Sequence, residues 1–151
     1  AGGHLSLLVG LTDPASNLEG ESGNPDQSSR VQAVVNVFGP TDMAPCYEKS
    51  SVAWIFRLFM GGTPSEAAER YKAASPLTYV SKDDPPVLTL HGDKDALVPV
   101  EQAKTLDEKM KAVGADHTLM VFEGKGHGFG GESGKKAADA TWDFFDQHLK
   151  Q

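Results

Sequence analysis

The sequence predicts an α/β fold, a parallel sheet of three strands flanked by helices. Three observations predict it. Short apolar runs occupy residues 31–38, 85–92 and 117–124, and turn-forming residues bound them. Segments of helical periodicity lie between these runs. The order helix, strand, helices, strand, helix, strand, helix then demands crossover connections. Such connections are right-handed and make neighbouring strands parallel.

Each element has its own reason. Leu5, Leu8, Val9 and Leu11 recur at roughly helical spacing, so residues 2–11 form a short helix behind a Gly-Gly start. Residues 12–30 are polar and rich in Gly, Pro, Ser and Asn, which predicts a long surface loop. VQAVVNVF, residues 31–38, is β-branched and almost continuously apolar, like a strand buried on both faces, and Gly39-Pro40 ends it. Residues 51–62 read as an amphipathic helix closed by Gly61-Gly62. A second helix starts at Thr63 as N-cap, with Pro64 first and Glu66 third. PPVLTLHG, residues 85–92, is the second strand; residues 100–114 form a helix stopped by Gly114; HTLMVFEG, residues 117–124, is the third strand. From Lys135 a last amphipathic helix carries Trp142, Phe145 and Leu149 on one side.

Composition narrows the function. A length of 151 residues gives one domain with one core. Fourteen Lys and Arg against twenty-one Asp and Glu leave a net charge of -7. So acidic a chain has no electrostatic reason to bind nucleic acid or an anionic membrane. A single cysteine, Cys46, excludes an internal disulfide and any multi-cysteine zinc site. The five histidines lack ligand spacing, so no metal is expected. No apolar run is long enough to span a membrane. The first residues carry no basic segment of a signal peptide, which favours the cytoplasm. The absence of an initiating Met implies that the chain begins inside a longer one.

In an open parallel sheet, sites gather at the carboxyl ends of strands. After the second strand come Asp93 and Asp95; after the third comes His127, flanked by Gly126 and Gly128. An acid on one loop and a histidine on the next can meet above the sheet edge, giving a base oriented and charge-stabilised by a carboxylate. The two glycines let the histidine loop turn sharply.

HGDKDALVP, followed about thirty residues later by GKGHGF, resembles the acid and histidine elements of the α/β-hydrolase fold. AGGHLSLLVGL looks like the helix after a G-x-S-A-G-G nucleophile elbow in carboxylesterases of the acetyl-esterase and lipase-like group. AASPLTYVSKDDPP is similar to that group's lead-in to the acid strand. The resemblance covers essentially the whole chain and the C-terminal half of the family's fold, and so implies a single partial domain over residues 1–151. It implies hydrolysis of small carboxylic esters by a Ser-His-Asp triad, with no cofactor. Asp95, three residues before Val98-Pro99, matches the triad acid, and His127 the base. Asp93 then becomes a loop-capping carboxylate that bonds N–H groups of its own turn. His91 becomes a packed strand-end residue, and His4 a structural one or a support to the site.

The family pattern places the serine immediately before Ala1, and no G-x-S-x-G occurs in the sequence. Ala1, as the residue after the nucleophile, would supply an oxyanion N–H. Trp54, Phe56, Phe59 and Met60 would either shape an acyl pocket or serve as ordinary core contacts. The alternative is a catalytically inactive, truncated hydrolase fragment that folds by self-association. It would form a two-fold dimer through the bare edge of the 31–38 strand and through Leu5, Leu8 and Leu11.

Overall fold

The computed structural model describes residues 1–20, 23–24 and 26–150. Glu21, Ser22 and Pro25 of the expected 12–30 loop, and Gln151 of the expected last helix, lie outside the described residues. The sheet has three parallel strands in the order β1 (Val34–Val37), β2 (Val87–Gly92), β3 (His117–Phe122). Around it lie α1 (Gly2–Leu11), α2 (Met43–Lys49), α3 (Ala53–Met60), α4 (Ala68–Ala73), α5 (Glu101–Val113) and α6 (Gly131–Leu149). Fold class and element order are those expected.

Alternation along the strands makes three layers. Val34 and Val87 pack with Leu7 and Leu11 of α1 and with Leu106 and Met110 of α5 on one face. Their neighbours Val35, Leu88 and Leu90 meet Ala137 and Phe144 of α6 on the other. Every residue of β2 is buried, as its unbroken apolar run requires of a central strand. A satellite cluster of Met43, Cys46, Phe56, Met60 and Tyr71 holds α2, α3 and α4 together.

Strand boundaries differ from expectation for a simple reason. Pro85 and Pro86 have no N–H to give a ladder. Pairing therefore begins at Val87, whose partner is Val34, and both strands lose their first residues. The Pro86 carbonyl still accepts the Val34 N–H, at 3.0 Å. β3 ends at Phe122 because Gly124, at φ +68°, turns the chain.

Helix ends follow their caps. Gly61 stops α3 at φ +68°, and the Gly62 N–H reaches back to the Arg57 carbonyl at 3.0 Å. Gly114 stops α5 at φ +79°. At Thr63 the capping box forms as expected: Thr63 N–H donates to Glu66 Oε2 at 2.8 Å, and Glu66 N–H to Thr63 Oγ1 at 3.4 Å. The box closes only a turn, however, and regular helix begins at Ala68. Three elements escaped the sequence reading: α2 and 3-10 turns at Pro14–Ser16 and Pro76–Tyr79.

Two apolar faces lie elsewhere than expected. On α1 the inward residues are His4, Leu7, Gly10 and Leu11, while Leu5 and Val9 face outward. On α6 the buried core residues are Ala137 and Phe144; of the expected stripe Phe145 packs against that cluster, while Trp142 and Leu149 are exposed. No helix among the described residues is long and apolar enough to cross a membrane.

Candidate active site

The loops after β2 and β3 meet at the carboxyl edge of the sheet, and backbone geometry brings them together. Gly92 ends β2. A Cβ there would lie 2.5 Å from the Gly126 carbonyl oxygen and closer still to that of Lys125. Only a residue without a side chain admits the histidine loop at this distance. Two hydrogen bonds then lace the loops: Lys94 N–H donates to the Lys125 carbonyl at 2.8 Å, and Gly124 N–H to Asp93 Oδ1 at 2.6 Å. Asp93 is thus a capping carboxylate, as expected, but of the neighbouring loop and not of its own turn.

Asp95 is the acid that meets the histidine. Its Oδ1 accepts the N–H groups of Leu97 and Val98, each at 2.9 Å, which fixes the carboxylate in its own turn. Its Oδ2 accepts His127 Nδ1–H at 2.7 Å. The Asp95 side chain is 0% accessible and that of His127 34%. An enclosed carboxylate thus faces an imidazole open to solvent. With Nδ1 bearing the proton, His127 Nε2 is a bare lone pair, and it has no partner among the described residues. A ring with that tautomer, held from behind by an acid, can accept a proton from a nucleophile in front.

Phe38 follows β1 and lies against this pair. Its ring centroid is 4.9 Å from that of His127, 4.5 Å from Phe129 and 5.8 Å from His91. Its φ of +58° puts a non-glycine residue in the left-handed region, a cost on the order of 1 kcal/mol. Nothing in the sequence singled Phe38 out, since a positive φ at an aromatic residue leaves no compositional trace.

Beside Phe38, Gly39 touches the first turn of α1. A Cβ on Gly39 would come within 2.6 Å of Gly3 C, and one on Gly3 within 2.6 Å of Asn36 Oδ1. Asn36 Oδ1 accepts the Gly39 N–H at 3.0 Å, so α1 and the β1 exit are locked together. Ala1 is the exposed N-cap residue of α1, with its carbonyl accepting the Leu5 N–H at 3.0 Å. The start of α1 thereby belongs to the same corner of the molecule as Phe38. Gln102 fixes the turn beyond: its Oε1 accepts the N–H groups of Thr41 at 2.9 Å and Asp42 at 2.7 Å. That role too was unread in the sequence, because the contact spans about sixty residues.

The remaining candidates have structural places. His4 Nε2–H donates to the Ala74 carbonyl at 2.6 Å, tying α1 to the end of α4, and burial holds its pKa below the usual histidine range. His91 is fully buried beside Asp95, as expected of a packed strand-end residue. Cys46 is buried, and burial, with Asp95 and Asp42 nearby, pushes its thiol up to about 12. It is therefore a core residue and not a nucleophile. On α3, Phe56 and Met60 are core residues, while Trp54 and Phe59 are exposed at 66% and 72%.

The chain is similar to several known proteins. Residues 1–110 match the family BD-FAE. The chain is 35% identical over 135 residues to the esterase LipC of Mycobacterium tuberculosis (strain ATCC 25618 / H37Rv), which covers 85% of this chain and 33% of that protein. It is 34% identical over 118 residues to the probable carboxylic ester hydrolase LipM of the same organism, covering 75% of this chain and 26% of that one. Among solved structures, a truncated form of a carbohydrate esterase from gut microbiota superposes with a TM-score of 0.82 at 33% identity, over 97% of this chain and 56% of that one. The chain thus spans about a third or less of these curated relatives. A family match over more than two-thirds of its residues nevertheless assigns its kinship: the chain belongs to the BD-FAE family of esterase-like α/β-hydrolases.

Proposed function

We propose that residues 1–151 are part of one α/β-hydrolase domain and supply the acid and the base of a hydrolase of small carboxylic esters. The carrying observation is the Asp95 Oδ2 to His127 Nδ1 bond at 2.7 Å, with the opposite ring nitrogen unpartnered among the described residues. A serine immediately before Ala1 would attack the acyl carbon while His127 Nε2 takes its proton. Asp95 holds the imidazole in the right tautomer and offsets the charge it gains. The same proton then passes to the leaving alkoxide. The backbone N–H of Ala1 would face the oxyanion, and nothing in the scheme calls for a metal or cofactor. The names of LipC and LipM, an esterase and a probable carboxylic ester hydrolase, support this class of substrate. The test is hydrolysis of p-nitrophenyl acetate by the protein carrying the residues upstream of Ala1. His127→Ala should abolish turnover; undiminished turnover would show that His127 is not the base.

A second reading has its own observation. Along the free side of β1 runs an apolar groove of about 370 Å³, lined by Leu5, Val9, Val31, Ala33, Val35 and Phe145. In this reading the 151-residue chain by itself is inactive and closes as a two-fold dimer, a second copy covering that groove. Each Leu, Val or Phe side chain newly buried contributes about 1.5–3 kcal/mol, so a few per subunit suffice; Leu11, expected on this surface, is instead in the core. Light scattering after size exclusion should then give the dimer mass. A stable monomer that binds no hydrophobic dye would end this reading.

A further inference from the structure

His91 is the second histidine at the candidate site, and its surroundings are unusual. It lies on β2, four residues before Asp95, and both side chains are 0% accessible. Its Nε2 is 2.8 Å from the Val98 carbonyl oxygen and 3.5 Å from Asp95 Oδ2. Both neighbours are acceptors, so Nε2 carries the proton. Nδ1 is then a bare lone pair, buried with no partner among the described residues. An orphaned buried acceptor costs about 1–3 kcal/mol. The side chain bears that cost while making one strong bond, and that bond goes to the acid loop.

The bond closes a ring of contacts. Val98 N–H donates to Asp95 Oδ1 at 2.9 Å, and the Val98 carbonyl accepts from His91. The far end of the acid turn is thereby tied to the most deeply buried strand of the sheet. The N–H dipole of His91 also points its positive end toward Oδ2, the oxygen that holds His127. At 3.5 Å this is an electrostatic contact and not a full hydrogen bond.

We propose that His91 is a positioning residue for Asp95: its Nε2–H clamps Val98, and through Val98 it fixes the carboxylate that orients His127. The proposal rests on the reading of Asp95 and His127 as a functional pair. Burial supports it by keeping His91 below the usual histidine range, and hence neutral with a single N–H to place.

The test is imidazole NMR on the 151-residue chain, with no activity required. In the unmodified chain, long-range nitrogen–proton spectra should show His91 as the Nε2–H tautomer; the Nδ1–H tautomer would overturn the proposal outright, whatever the variants do. His91→Phe removes the donor and keeps a planar ring. It should raise the solvent-exchange rate of the His127 Nδ1–H proton several-fold, while amides of β2 and α5 exchange as before. His91→Gln, which carries an N–H donor near the Nε2 position, should restore slow exchange. Unchanged His127 exchange in His91→Phe, or a rise shared by the whole sheet, would reduce His91 to a packing residue. Asp95→Asn is the separate control. If it leaves the His127 Nδ1–H signal unaltered, the underlying pair is what fails, and not the role of His91.

Discussion

Two aspartate–histidine pairs stand at opposite ends of β3. Beyond its carboxyl end, His127 Nδ1 donates to Asp95 at 2.7 Å; at its amino end, His117 Nδ1 donates to Asp107 at 2.8 Å. The bonds are alike, and the far ring nitrogens are not. His117 Nε2 accepts the Thr89 hydroxyl at 2.9 Å, and Thr89 in turn accepts from Asn36 Nδ2 at 3.3 Å. With its side chain 0% accessible, His117 is one link in a saturated chain of hydrogen bonds from α5 across the sheet. His127 offers an open nitrogen and an accessible ring. An acid beside a histidine therefore defines no site by itself. What separates a structural pair from a reactive one is a lone pair left free where a substrate can reach it.

The contrast can be broken most directly by the same substitution at both ends. In the protein carrying the upstream residues, Asp95→Asn should lower ester turnover by about 10⁴-fold, since the amide favours the wrong tautomer of His127. Asp107→Asn should leave turnover unchanged. Equal losses in initial rate would erase the distinction. The Asp93→Asn variant adds a check on the acid: if it loses turnover and Asp95→Asn does not, the assignment reverses.

A smaller loss should follow from a change that touches neither pair. Gly92→Ala places a methyl group against the Lys125 and Gly126 carbonyls and forces the loops apart. A displacement near 1 Å costs about 10²-fold in rate. Turnover should fall by that order while the His117 end, read from its imidazole resonances, stays as it was. Turnover equal to that of the unmodified chain would show that the loops do not need this approach.

At the amino end the expected effect is on stability. Asp107→Ala strips His117 of its acceptor in a buried setting and should cost about 1–3 kcal/mol in urea unfolding. A change within error would mean that solvent replaces the carboxylate.

The smallest effect is a pH dependence. Burial holds His4, His91 and His117 below the usual histidine range in the fold. The unfolded chain therefore binds more protons than the folded one once the pH falls below about 6.5. Stability is complete above that value and declines as the pH drops from it toward the lowered folded values. The urea midpoint should thus be lower at pH 5 than at pH 7, and His117→Gln should flatten part of the slope. A midpoint that rises on acidification would contradict the burial of these rings.

What could be read from the sequence depended on how local the cause was. The strands announced themselves through unbroken apolar runs, and Gly61, Gly114 and the Thr63–Glu66 box marked helix ends, because each acts within one turn. The meeting of the two loops that carry Asp95 and His127 was legible because loops converge at strand ends in a parallel sheet, whereas the choice of Asp95 over Asp93 came from the family resemblance. Helix α2 was not, since Pro45 argues against helix; at the third helical position it needs no N–H partner and does no harm. Helix α6 begins at Gly131, four residues before the first expected helical residue, through a glycine-rich turn that reads as loop. The stripe of Trp142, Phe145 and Leu149 was real in spacing, but periodicity cannot say which of two apolar stripes meets the sheet. Phe144 is the buried residue, and of the expected stripe Phe145 packs beside it. The Asp107–His117 pair and the Gln102 clamp join distant elements and left no local pattern.

The seam between the acid and histidine loops joins the Lys94 amide to the Lys125 carbonyl, the Gly124 amide to the Asp93 carboxylate and His127 to Asp95, over a missing side chain at Gly92. Neither lysine side chain takes part. Lys94 is exposed and Lys125 half-exposed, so their side chains stand outside that seam. Removing or reversing their charge should therefore leave His127 in place. For an engineer, the surface charge beside the two loops can be changed independently of the seam that joins them.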